Sequence, residues 1–85
     1  MSKQKPFSYT ICTTFDSEIF YRQCAALEKH IPGLKKKDRL LEDVDGSLLQ
    51  KYIHEKGEVI VCNDAPIDVV YVDSDFDLLP YFKKK

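Results

Sequence analysis

This 85-residue sequence has no long apolar run and no cysteine pair at metal-binding or redox spacing. None of its apolar segments approaches the roughly 20 residues that a membrane-spanning helix needs. The N-terminal residues Met1–Pro6 lead into no apolar stretch of the signal-peptide type. Cys12, Cys24 and Cys62 are odd in number and lie among apolar neighbours, which predicts reduced, buried thiols. We therefore expect a cytoplasmic protein without a membrane span.

Motifs for catalysis or metal binding are equally scarce. Gly33, Gly46 and Gly57 are isolated turn glycines and form no phosphate-binding loop. His30 and His54 have no metal-ligating partner at useful spacing in the sequence. The sequence thus predicts a protein that is not an enzyme and that holds neither a cofactor nor a metal ion.

One short string resembles a catalytic motif. Residues 43–47, Asp-Val-Asp-Gly-Ser, are similar to the nucleophile motif of the haloacid dehalogenase-type phosphatases. The resemblance implies a nucleophilic first aspartate, a second aspartate acting as acid and base, and Mg²⁺ between them. However, Glu42 interrupts the apolar strand expected before the motif, and the roughly 40 residues after it are too few for that family's doubly wound sheet. We interpret the string as a hairpin turn.

The secondary structure begins with a strand over residues 7–14 in which Phe7, Tyr9 and Ile11 share one face. A helix over about residues 16–30 follows, with Asp16 or Ser17 as its N-cap, and the Ile31-Pro32-Gly33 segment ends it. Its apolar residues recur at helical spacing, which predicts one buried face.

The segment 47–56 allows two interpretations. Asp45-Gly46 suits a type I′ hairpin turn and Gly57 suits a second turn, which favours a strand between them. Ser47-Leu48-Leu49-Gln50 also fits a helix capping box, so a helix over 47–56 is the alternative. Further strands are expected at 59–62 and 67–72, with a short helical turn over 76–82.

Together these elements predict an α+β fold in which one main helix packs on an antiparallel sheet of about four to five strands. The chain is long enough for one domain, residues 1–85, with residues 1–6 and 83–85 expected to be flexible.

Charge is segregated along the chain although the net charge is only −1. Residues 1–41 carry eight basic and four acidic side chains, a net of +4. Residues 42–77 carry ten acidic side chains against two lysines, a net of −8. Such asymmetry bears on partners rather than on fold, and it predicts an acidic surface that contacts something positively charged.

Aromatic residues alternate with carboxylates in this acidic half, and tyrosine is enriched at interaction hot spots. If residues 73–77 were extended, their three aspartates would line one face of a strand. Leu78 and Lys84 stand where an EF-hand needs glycine and glutamate, so this spacing predicts no calcium loop. The predicted partner-binding residues are Asp64, Asp68, Tyr71, Asp73, Asp75, Phe76, Asp77 and Tyr81.

In size and charge the chain resembles the small acidic immunity proteins of bacterial toxin–immunity systems. That resemblance implies a non-catalytic inhibitor that covers a cognate basic toxin domain, such as a nuclease, with carboxylates where phosphates would bind. A protein-binding adaptor or regulator unrelated to toxins is the alternative. A nucleic-acid-binding domain that uses Lys35–Arg39 is a second alternative, against which the pI of about 6.1 argues. The sequence leaves the oligomeric state open.

Overall fold

The structure is a computed structural model of the chain, and it describes residues 5–82. Within this part the chain forms six strands and two helices. The strands are β1 (Phe7–Cys12), β2 (Lys35–Lys36), β3 (Leu41–Glu42), β4 (Leu48–His54), β5 (Gly57–Asp64) and β6 (Val69–Ser74). The helices are α1 (Ser17–His30) and α2 (Leu79–Phe82).

All strand pairs are antiparallel, and the sheet has the order β1-β6-β5-β4, beyond which β2 and β3 both pair with β4. The predicted α+β class is confirmed, with one main helix and one antiparallel sheet. The sheet is larger than the four to five strands expected, because two two-residue strands extend it.

Helix α1 begins and ends where the sequence predicts. The side chain of Asp16 caps it by accepting from the backbone N–H groups of Glu18 and Ile19. At the other end Ile31 is extended, as a residue before proline should be. The buried face of α1 and the inward-facing residues of the central strands form a single apolar cluster. Its members are Phe20, Cys24, Leu27, Ile31, Leu48, Tyr52, Val59, Val61, Val70, Val72 and Leu78.

Residues 48–54 form a strand, so the strand interpretation of 47–56 is confirmed and the helical alternative is wrong. The turn before it is not type I′, because Gly46 has a positive φ and Asp45 does not. The Gly46 N–H instead donates to the Asp43 carbonyl, and the Asp43 N–H donates to the Ser47 carbonyl. This is the pattern of a tight turn followed by a glycine in the left-handed region.

One further expectation needs correction, and two others concern the basic stretch and the termini. Strand β1 ends at Cys12 rather than at residue 14, and its pairing with β6 is irregular between Thr10 and Cys12. Lys35 and Lys36, in the basic stretch Lys35–Arg39, pair with β4 and are exposed. The expected flexibility of residues 1–6 and 83–85 lies mostly outside the described residues, but Lys5 is described and its Nζ is 2.9 Å from a Glu58 carboxylate oxygen.

Candidate functional site

The sheet has one face turned towards the apolar cluster and one face turned away from it. We call the second one the open face. Residues directly opposite each other on paired strands point to the same side of a sheet. One row of the open face therefore crosses the sheet through Thr10, Tyr71, Cys62, Leu49 and Leu41.

The neighbouring row crosses the sheet through Ser8, Asp73, Ile60 and Lys51. Among the described residues, no helix or further strand covers either row. Leu41 is accordingly 47% exposed, although it lies in the sheet.

A groove of about 570 Å³ lies on this face, where the turn between β3 and β4 meets the turn between β5 and β6. Leu41, Leu49, Cys62 and Tyr71 contribute a largely apolar floor. Four carboxylate side chains line the same groove: Glu42, Asp43, Asp45 and Asp64. An apolar floor bordered by negative charge suits a ligand group that is both cationic and partly apolar, as an arginine or lysine side chain is.

A second hollow, of about 480 Å³, lies beside the first and towards β1. Tyr71 lines both hollows, and Asp73 and Lys5 lie in the second one. Burial raises the pKa of Tyr71 well above its ordinary value, so its hydroxyl stays protonated and can donate a hydrogen bond. Because Tyr71 lines both hollows, a ligand that fills either one contacts its side chain.

The structure divides the predicted partner-binding residues into two groups. Asp64, Tyr71 and Asp73 lie on the open face and line its hollows. Among the described residues neither Asp64 nor Asp73 forms a hydrogen bond or an ion pair through its carboxylate. These two carboxylates are thus available to a partner.

The three remaining predicted aspartates accept hydrogen bonds within the fold. Asp68 Oδ1 accepts from the Phe15 backbone N–H at 2.6 Å. Asp75 Oδ2 accepts from the Glu58 backbone N–H at 2.8 Å. Asp77 Oδ1 accepts from the Tyr9 hydroxyl at 2.9 Å and from the N–H of Leu79, at the start of α2.

The predicted aromatic residues Phe76 and Tyr81 also lie away from the open face. Their rings pack against each other and against the ring of His54, with the Phe76 and His54 centroids 4.9 Å apart. Tyr52, another aromatic residue of the acidic half, is fully buried in the core. The aromatic contribution to the open face therefore comes from Tyr71.

Sequence reasoning did not place the apolar floor or the acidic hairpin at residues 42–45 in the candidate site. A signal for the hairpin was present, because antiparallel strands over 47–54, 58–63 and 67–72 bring the turns at 43–46 and 64–68 to the same end of the sheet. No comparable signal marks Leu41, since a two-residue strand gives no periodic pattern.

The basic stretch predicted for nucleic acid is partly neutralised within the fold. Lys37 Nζ lies 3.0 Å from Glu58 Oε2, and Lys36 Nζ lies 3.9 Å from Glu28 Oε2.

Both ring nitrogens of His54 form hydrogen bonds within the fold, Nε2 with the Pro32 carbonyl and Nδ1 with the backbone N–H of Lys56.

The remaining reactive residue types are also placed by the structure. Burial raises the pKa of both Cys24 and Cys62, which keeps these thiols protonated near neutral pH. Among residues 5–82, no group of three or more His, Cys, Asp or Glu side chains is arranged to hold a metal ion. Nor does this part of the chain contain a helix of the length and apolarity needed to cross a bilayer.

Comparisons with known proteins return no match, whether the chain is compared with protein-family models, with curated proteins or with solved structures. The functional argument therefore proceeds from the geometry of the open face.

Proposed function

We propose that this protein is a non-catalytic binding protein that holds a positively charged surface of another protein against its open face. The observation that supports the proposal is the groove in which a largely apolar floor and four carboxylates occur together. Carboxylates alone serve solubility on many proteins, whereas here they border an apolar floor in which Leu41 is 47% exposed and Leu49 and Tyr71 are partly buried.

Each part of the groove has a physical role in this proposal. A guanidinium or ammonium group forms charge-assisted hydrogen bonds with rim carboxylates such as Asp64. The aliphatic stem of the same side chain covers Leu41 and Leu49, and the Tyr71 ring offers a face to the cation. Water excluded from the floor strengthens the charged contacts at the rim.

The specific form that we propose is the one that the sequence predicts, an immunity protein that acts in the cytoplasm on a basic toxin domain such as a nuclease. A nuclease cleft is positive because it holds a polyanion, and Asp64 and Asp73 would take the place of substrate phosphates. The contact should form rapidly and weaken with salt, since complementary charge mainly governs the association rate.

The general proposal is tested by titrating the ¹⁵N-labelled protein with an arginine-rich peptide and following amide chemical shifts. We expect the shifts to concentrate around Leu49, Asp64 and Tyr71 and to leave α1 unchanged. Shifts spread evenly over α1 and the sheet would contradict a specific site on the open face.

Charge reversal at the open face provides the matched comparison. Asp64→Lys with Asp73→Lys should weaken peptide binding by about tenfold or more, which corresponds to roughly 1.4 kcal/mol. Asp38→Lys with Glu55→Lys adds the same charge at exposed positions that line neither hollow, and it should retain most of the affinity. Equal losses in the two variants would mean that net charge, and not the groove, governs binding.

The inhibitor form has its own test. The product of a toxin-like reading frame beside this gene, when co-expressed, should co-purify with the wild type in low salt and be inhibited by it. A complex that forms equally well with Asp64→Lys, Asp73→Lys would show that the partner binds elsewhere.

A further inference from the structure

The two edges of the sheet differ in length and in charge. At one edge, β2 and β3 are only two residues long, and Lys35, Lys36 and Glu42 give them three charged side chains. Short, charged edge strands are how natural sheets prevent further pairing. At the opposite edge lies β1, with six residues and the sequence Phe-Ser-Tyr-Thr-Ile-Cys, which contains no charged side chain.

Strand β1 pairs with β6 on one side only. On its other side, no strand of the part of the chain that the structure describes is paired with it. The outward backbone N–H and C=O groups of such a strand form hydrogen bonds to water or to another strand. The edge thus has a defined chemical complement, an extended backbone.

An apolar hollow runs beside this edge on the side of the sheet where α1 lies. It has a volume of about 280 Å³, and Ile11, Ala26 and Leu79 are among its lining residues. Ile11 is 37% exposed and Leu79 is 53% exposed. A strand added to β1 would direct alternate side chains into this hollow, as in other cases of β-strand addition.

We infer that the occupant is β1 of a second copy of this chain, so that two molecules form a two-fold dimer through antiparallel β1–β1 pairing. The reason is that an uncharged β1 is compatible in charge with a second copy of itself. In a chain that is 32% charged, β1 opposes its own copy without setting any charge against a like charge. An acidic or basic partner strand would gain no ion pair there.

Two-fold pairing also decides which side chains meet. Directly opposed residues point to the same side, so Ser8 and Thr10 of one copy face Ser8 and Thr10 of the other on the joined open faces. Hydroxyl side chains opposite each other form favourable cross-strand pairs. Ile11 and the apolar hollows lie on the opposite side and are covered in the same contact.

The assembly closes at two copies. Once both β1 strands are paired, the edges that remain are the short, charged β2 and β3 strands, which do not favour a third molecule. The two open faces then lie side by side on one continuous twelve-stranded sheet. Ser8 and Thr10 line the second hollow but not the groove, so this inference does not depend on the groove.

The test is the mass of the full chain by sedimentation equilibrium at rising concentration, up to about 1 mM, where even a contact of about 4 kcal/mol would be half formed. We expect the apparent mass to rise from the 9.9 kDa of one chain towards twice that value and not to exceed it. A mass that stays at one chain over this range would overturn the inference, and so would continued growth beyond two chains.

A pair of variants locates the contact. Ser8→Lys with Thr10→Lys places lysines opposite each other and should return the protein to a monomer. Ala25→Lys with Val44→Lys adds the same charge at exposed positions away from β1 and should leave the dimer intact. Circular dichroism of each variant establishes that it is folded before its mass is compared.

Hydrogen exchange supplies an independent readout that needs no substitution. Amides of β1 should exchange more slowly at dimer concentrations than at monomer concentrations, while those of β2 and β3 should not change. Dimerisation that survives Ser8→Lys with Thr10→Lys, or that protects other strands instead, would overturn the assignment to β1.

Discussion

The hydroxyl of Tyr52 is a direct link between the sheet and the main helix, and removing it should destabilise the fold measurably. Tyr52 lies on β4 with an exposed fraction of 0%, and its hydroxyl donates to Glu28 Oε2 on α1 at 2.6 Å. Burial raises the pKa of Tyr52 well above its ordinary value, so the hydroxyl keeps the proton that it donates.

The magnitude follows from the environment of both groups. A hydrogen bond to a charged group contributes about 1.5–3 kcal/mol. The Glu28 side chain is 42% exposed, so its carboxylate regains water when the hydroxyl is removed, which places the loss near the lower limit. For Tyr52→Phe we expect a loss of about 1.5 kcal/mol in the free energy of unfolding, or roughly 6–12 °C in Tm for a domain of this size.

Tyr21→Phe is the matched control, because it removes the same hydroxyl from a side chain of α1 that is 50% exposed. We expect a change within about 0.5 kcal/mol for this surface substitution. Urea denaturation of both variants measures the difference. A Tyr52→Phe loss no larger than that of Tyr21→Phe would refute the view that this hydrogen bond contributes to stability.

Two further predictions concern Gly57 and Glu58, the first two residues of β5. Hydrogen bonds from Lys5 and Lys37 lower the pKa of Glu58, so its stabilising contribution is present above about pH 5 and is lost as the pH falls through the lowered value. Thermal melts of Glu58→Gln should therefore show a deficit against the wild type at pH 7 that disappears in acid; a deficit independent of pH would contradict the assignment. Gly57→Ala should destabilise by about 1–3 kcal/mol, because φ is +146° and a Cβ there would lie 2.5 Å from the Asp75 Cβ; unchanged denaturation would contradict this geometry.

The parts of the fold that sequence predicted are those with local signals. The Asp16 cap and the Ile31-Pro32 stop define α1 without help from the rest of the chain. The apolar strands β5 and β6 follow from composition and from the turn between them. In contrast, Lys35 and Lys36 carry no strand signal, and they are extended because β4 offers a partner, which is a tertiary effect.

The candidate site was predicted only in part, and the position at which β6 ends shows why. The spacing of Asp73, Asp75 and Asp77 places three carboxylates on one face if the strand continues through residue 77. Strand β6 ends at Ser74, so Asp73 alone stays on the open face. The backbone then turns, and Asp75 and Asp77 accept hydrogen bonds from the main chain instead. Spacing predicts a shared face only as far as the strand continues.

Chain length explains why both proposed contacts lie on the sheet. Residues 5–82 supply one long helix, and that helix contributes to a cluster on one side of the sheet. A sheet ordinarily buries an apolar face against a second layer, yet the open face keeps Leu49, Ile60 and Tyr71 without such a layer among the described residues. Polar side chains at these three positions would serve an isolated sheet face better. The proposed partner would supply the missing second layer over these apolar side chains.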